Sequence, residues 1–273
     1  MNLVAIRNLW GMTAPWQTAF PAIKEAGYAG IEYLVPQEQE RNRLHALLDS
    51  HELAFIPLIF TRGNTVREHV RSFTEQIHRA LPLSPLRANC HAGSDYWSRE
   101  QSKQFFREVL AIVADLPFEV SFETHRTRIL FNPWITRDLC SEFPEMQLTC
   151  DFSHWVVVCE RLLDTEEEII AQCATRCIHL HTRVGYEEGP QVPDPRAPEY
   201  ARHLEAHESW WQMIWEAQAA RGLADLTFAP EIGPPPYQQT LPYTGAPVAD
   251  FATVFDWMAR RQLERFKQWK GRQ

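Results

Sequence analysis

Short apolar runs alternate along the chain with longer stretches in which apolar residues recur every three or four positions. Leu3 to Arg7, Ala29 to Leu34, Ala54 to Phe60 and Leu86 to Cys90 have strand length, and so do Phe118 to Phe122, Gln147 to Cys150, Cys177 to His181 and Leu226 to Ala229. Helical periodicity fills Trp16 to Glu25, Gln37 to Ser50, Thr65 to Ala80, Gln101 to Ala114 and Asn132 to Phe143. It returns up to about Gln172, over His203 to Ala220, and over Phe251 to Lys267. Local punctuation agrees. Gly27 closes the first helix, Ser98 with Gln101 forms a capping box, Pro133 sits near a helix start, and Asp164 with Glu167 is expected to cap the helix ending near Gln172. Eight strand–helix units of roughly 34 residues each predict an α/β fold, a (β/α)8 TIM barrel of eight parallel strands ringed by helices. The expectation is one domain over 1–273, with a C-terminal helical tail from about 249.

Composition narrows the class. At 45% hydrophobic residues the chain can bury a core, which excludes a disordered protein. The formal net charge is -8, which argues against a partner such as nucleic acid held through its phosphates. The first turn, Trp10-Gly11-Met12-Thr13-Ala14, carries neither GxGxxG nor a Walker A pattern. The six cysteines form no CxxC pair and fit buried strand positions, notably Cys90, Cys150 and Cys177. No apolar stretch reaches the roughly 20 residues of a membrane span, and the start lacks a signal-peptide run. A cytoplasmic protein with no membrane or nucleic-acid partner is expected. The tryptophans of the last third either cover the barrel or feed a homo-oligomer interface.

A barrel of this kind places its chemistry at the C-terminal ends of its strands. Here four consecutive strands end in Phe122-Glu123-Thr124-His125-Arg126, Cys150-Asp151-Phe152-Ser153-His154, Ile178-His179-Leu180-His181-Thr182-Arg183 and Ala229-Pro230-Glu231. Buried carboxylates need partners, and one divalent cation can serve Glu123, Asp151, His181 and Glu231 together. His179 and His181 stand two apart, so both point to one side of their strand, with Leu180 opposite.

These segments resemble the xylose-isomerase-like TIM-barrel superfamily, which holds sugar isomerases and epimerases and the AP endonuclease family 2 proteins. The likeness spans the whole barrel, and Gly30-Ile31-Glu32 on strand two is a further recurring motif. In the ketose 3-epimerases of that superfamily the matching four residues bind one divalent metal, which implies Glu123, Asp151, His181 and Glu231 as ligands. The resemblance also implies that His154 touches a substrate oxygen. It makes Arg183 a candidate for the arginine that follows the histidine pair, although its spacing of two from His181 is shorter than the pattern.

Three carboxylates and one imidazole suit Mn²⁺ or Mg²⁺, with Co²⁺ and Zn²⁺ admissible. A hydroxy-ketone chelated there has its carbonyl polarised and its enediolate stabilised. Glu123 and Glu231 are then the acid/base pair of an isomerase or epimerase acting on a small sugar, polyol or keto acid. The alternative is a metal-dependent hydrolase or dehydratase of a small polyhydroxy compound. A nuclease is disfavoured because strand three ends without a histidine, in Leu58-Ile59-Phe60-Thr61. His154, Arg183, His91, Arg126, His125 and Trp10 are the candidate substrate contacts, with Phe60, Tyr96 and Trp155 as further aromatics near strand ends. Glu32 is expected at the pocket floor or against Arg7 or Arg87. The long loop from Arg183 to Tyr200 is expected to lie across the metal site and narrow it.

Overall fold

The computed structural model describes residues 1–272. Eight parallel strands close into a barrel in chain order: β1 (Asn2–Asn8), β2 (Gly30–Leu34), β3 (Ala54–Phe60), β4 (Arg87–His91), β5 (Glu119–Glu123), β6 (Gln147–Cys150), β7 (Cys177–Thr182) and β8 (Asp225–Pro230). The seam is the β1–β8 ladder, with Leu3 beside Leu226 and Ala5 beside Phe228. The fold is therefore the (β/α)8 barrel that the alternation predicts.

The helices wrap this barrel as α1 (Trp16–Glu25), α2 (Glu38–Ser50), α3 (Val66–Ala80), α4 (Arg99–Val113), α5 (Pro133–Glu142), α6 (Ser153–Cys159), α7 (Glu167–Ala174), α8 (Ala201–Ala220) and α9 (Phe251–Lys270). Local chemistry sets several starts. Ser98 and Gln101 complete the capping box of α4, and Asn132 caps α5 with Pro133 at its first position. Helix α7 differs from expectation. Its N-cap residue is Glu166 without a side-chain cap, and Asp164 lies too early to serve. Helix α9 lies against β1 and β8, where Arg7 stacks on Phe255 at 3.7 Å and the Tyr28 hydroxyl meets Asp256 at 3.0 Å. Trp210, Trp211 and Trp215 of α8 are buried in the layer between helices and strands. All six cysteines are free, and Cys90, Cys150 and Cys177 are fully buried. Among the described residues no helix is long and apolar enough to cross a membrane.

Strand alternation divides the side chains. Outward residues such as Ile31, Ile59, Phe122, Leu148 and Leu180 join the main apolar core under the helices. The inward row is largely polar. Ser121 meets Thr149 at 2.6 Å, and His179 Nδ1 meets Thr227 Oγ1 at 2.8 Å. That polar column leads upward to the strand ends.

Candidate functional site

Glu123 is the last residue of β5, Asp151 and Glu231 directly follow β6 and β8, and His181 is the penultimate residue of β7. Each offers a ligand atom, and the four atoms lie within 4.8 Å of one another. All four residues are buried; Glu231, at 7% exposure, is the most accessible. Glu123 Oε1, His181 Nδ1 and Glu231 Oε2 have no hydrogen-bond partner. His181 Nδ1 stands 2.6 Å from Glu231 Oε2, yet the pair lacks hydrogen-bond geometry. A cluster able to chelate a divalent cation is therefore present, and its oxygen-rich donor set fits a hard ion.

Electrostatics point the same way. The Arg183 guanidinium meets Asp151 at 2.6 Å and Glu231 at 3.5 Å, whereas the buried Glu123 and Glu32 face histidines, His91 for the first and His179 and His181 for the second. Burial pushes Asp151 up to about 6, against the pull of Arg183. Burial would also raise Glu123, but His91 and His181 hold it well below the usual carboxylate range. The surrounding carboxylates overcome burial and lift His181 well above the ordinary imidazole range. A cation bound on the Nδ1 side would take over that role.

Glu32 closes the floor. It does not pair with Arg7 or Arg87, as charge matching suggested. Arg87 reaches the Ile178 carbonyl and Glu119, and Arg7 the Asp256 side of α9. Instead Glu32 faces His181 Nε2 at 3.0 and 3.1 Å and His179 Nε2 at 3.3 Å, and it accepts from Asn8 Nδ2 at 2.8 Å and Asn89 Nδ2 at 3.2 Å. Full burial favours the neutral acid, but the two imidazoles hold Glu32 well below its usual range. With Nε2 directed to Glu32, His181 presents Nδ1 to the three-carboxylate side, a carboxylate–histidine arrangement that orients a metal ligand.

The remaining sequence candidates divide by position. A cavity of about 510 Å³ opens above the cluster, and Trp10, His91, His125, His181, Arg183 and Glu231 line it. His91 Nε2 meets Glu123 Oε2 at 2.8 Å, and its ring stacks on Phe60 with centroids 4.1 Å apart. Arg183 donates to Asp151 Oδ2 at 2.6 Å and to Ser153 Oγ at 3.0 Å, and it also contacts His154. His154 is fully buried behind His125, their ring centroids 3.8 Å apart, and is not part of the cavity lining. Arg126 lies over the Tyr237 ring at 5.2 Å, outside the lining. Phe60 lines the cavity, Tyr96 is 73% exposed elsewhere, and Trp155 is a core residue whose indole donates to the Leu130 carbonyl at 3.0 Å.

The loop after β7 also differs from expectation. Beyond Arg183 none of its residues lines the cavity. Val184 and Val192 are buried and joined by a 2.8 Å backbone hydrogen bond. Gly185 packs so close to Ser153 that a Cβ there would lie 2.7 Å from the Ser153 carbonyl oxygen. Gln191 exchanges hydrogen bonds with the Gly233 backbone. The loop thus braces the wall from outside, and Trp10 and Tyr237 narrow the mouth, edge-to-face with centroids 4.8 Å apart. Sequence reading missed Tyr237, Tyr33 and Asn89. Tyr237 had one signal, its place directly after the proline run beyond β8.

Three solved structures illustrate the likeness of the whole fold. AP endonuclease family 2 from Brucella melitensis matches with a TM-score of 0.61 and 16% identity, over 95% of this chain and 98% of that one. The probable 3-DHS dehydratase AsbF from Bacillus anthracis, involved in petrobactin synthesis, matches at 0.59 and 13%, over 84% and 92%. The 3-keto-D-glucoside 4-epimerase YcjR from E. coli matches at 0.58 and 13%, over 96% and 98%. No protein-family model matches the sequence, and no curated protein does. The chain is a (β/α)8 TIM barrel whose fold is similar to those of the AP endonuclease family 2 protein, the AsbF dehydratase and the YcjR epimerase.

Proposed function

We propose that the protein is a divalent-metal-dependent isomerase or epimerase of a small sugar, polyol or keto acid. The observation that carries this reading is the buried convergence of Glu123, Asp151, His181 and Glu231, which offer ligand atoms within 4.8 Å of one another. These four residues would hold Mn²⁺ or Mg²⁺, and the ion supplies Lewis-acid polarisation of a bound carbonyl. Glu231 lines the cavity and is placed to take a proton from the carbon next to that carbonyl. Glu123, set back beside His91, is its partner for returning a proton. Arg183 holds Asp151 at 2.6 Å and stands 3.5 Å from Glu231 Oε1, so it orients two carboxylates of the cluster. Trp10 and Tyr237 exclude water from the mouth.

The same groups support dehydration if a hydroxyl lies β to the carbonyl, because the proton removed is the same and only the fate of the carbanion differs. The likeness to a probable dehydratase keeps that second reading in view. Incubating the Mn²⁺-loaded protein in deuterated water with a panel of ketoses, polyol-derived ketones and keto acids separates the outcomes. Deuterium gained in a recovered isomer or epimer supports the proposal. Loss of water with growth of an enone absorbance supports the second reading. Absence of exchange and of product across the panel contradicts both.

A further inference from the structure

The cavity mouth has two chemically distinct halves. Every charged or imidazole side chain that lines it comes from the ends of β4, β5, β7 and β8. The ends of β1, β2 and β3 supply Trp10 and Met12, Tyr33 and Leu34, Leu58 and Phe60. No lining residue on that side is charged. Its one amide, Asn8, is already engaged, with Nδ2 on Glu32 at 2.8 Å and Oδ1 accepting from Trp10 N at 2.7 Å. The apolar side is also built with fixed ring faces. Trp10 is seated over Gly233, where a Cβ would meet its ring at 2.5 Å, and Tyr237 meets it edge-on. Phe60 is held flat against His91, 24° from parallel.

A polyol filling about 510 Å³ would set hydroxyls against Leu58, Phe60 and Met12, which offer them no hydrogen bonds. A phosphorylated tail would find no lysine, and the single lining arginine, Arg183, is held by Asp151. Cavities of this volume with an apolar wall and a few convergent polar groups suit amphipathic ligands.

We infer that the substrate has two parts: a hydroxy-ketone head that meets the metal-ligand cluster, and a flat, uncharged aromatic tail that lies against Phe60, Leu34 and Met12 near Trp10 and Tyr237. An aryl glycoside of a keto-sugar has this chemistry. The inference rests on the proposed function for the head alone. The tail rests on the apolar half of the mouth.

Calorimetry with the full chain tests it, using the phenyl glycoside of one keto-hexose, its methyl glycoside and the 6-phosphate of the methyl compound, each with and without Mn²⁺. The phenyl compound should bind at least tenfold tighter than the methyl one, about 1.4 kcal/mol, and the phosphate weakest. Leu34 is 43% exposed, so Leu34→Lys leaves the fold intact. That variant and Phe60→Ser should each bring the phenyl-to-methyl ratio below about threefold, and Leu34→Lys should do so with Mn²⁺ affinity unchanged. A ratio near one in the parent protein, or preference for the phosphate, overturns the inference. The head fails separately: if Mn²⁺ changes the affinity of no compound while the phenyl preference persists, the metal reading falls and the aromatic site stands. Binding of none of the three overturns both.

Discussion

Glu32→Gln isolates the residue that fixes the floor of the cluster. The substitution keeps the side-chain shape and removes one charge. In the native protein the carboxylate faces His181 Nε2 at 3.0 and 3.1 Å and His179 Nε2 at 3.3 Å, and it accepts from two asparagine amides. A glutamine amide supplies one acceptor and two donors, so at least one of Asn8 and Asn89 then faces a donor. Leaving such a buried donor unpaired costs about 1–3 kcal/mol of stability. The loss at the cluster is distinct. Without an ionised acceptor on Nε2, the Nδ1 lone pair of His181 is less basic and less firmly aimed. Removing an outer partner of this kind weakens metal affinity by roughly 10–100-fold, about 1.4–2.7 kcal/mol. Calorimetric titration of the metal-free protein with Mn²⁺ reads the affinity, and urea denaturation reads the stability. Glu32→Asp keeps the charge but shortens the reach, so it separates charge from geometry. A folded Glu32→Gln protein whose Mn²⁺ dissociation constant stays within twofold of the parent's would refute the reasoning.

Other outcomes follow from the same geometry. Glu231→Gln should lower solvent deuterium exchange by about 10²–10⁴-fold while a folded chain persists; exchange at the parent rate removes Glu231 from the chemistry. Saturation with Mn²⁺ at 100 times its dissociation constant should add about 2.7 kcal/mol and raise Tm by roughly 5–10 °C, and an unchanged melting curve contradicts a cation site. His207 is buried and accepts from Gly185 N at 3.2 Å, and burial pushes its pKa down to about 3. Its folded pKa lies below the unfolded value, so the unfolded chain alone takes up the proton as pH falls below about 6.5. His207 should therefore contribute a loss of stability toward pH 3 of about 1.4 kcal/mol per pH unit. His207→Gln should reduce the pH slope of stability from urea unfolding between pH 6.5 and 4.5 by that amount, and an unaltered slope would contradict a neutral, buried His207.

The barrel was legible because strand and helix periods alternate without interruption and because Ser98, Gln101, Asn132 and Pro133 mark helix starts. The grouping of Glu123, Asp151, His181 and Glu231 was legible for a related reason: side chains at the ends of parallel strands in a closed barrel face a common axis. Contacts set by barrel stagger were not readable. Glu32 and His181 sit on β2 and β7, which are not neighbours, and which inward residues meet across the barrel depends on register that no local pattern carries. Helix α6 was missed because Trp155-Val156-Val157-Val158 favours a strand locally. Burial of Trp155 and Val156 against the core decides it as a helix. The loop after β7 misled because its length suggested a lid, whereas Val184, Val192 and Gln191 tie it to the outer wall.

The most direct test of the central claim is anomalous scattering from crystals grown with Mn²⁺. The account predicts one strong peak within roughly 2.0–2.3 Å of atoms from Glu123, Asp151, His181 and Glu231 together. A protein saturated with Mn²⁺ in solution that shows no peak there, or a peak touching none of these four side chains, would contradict it.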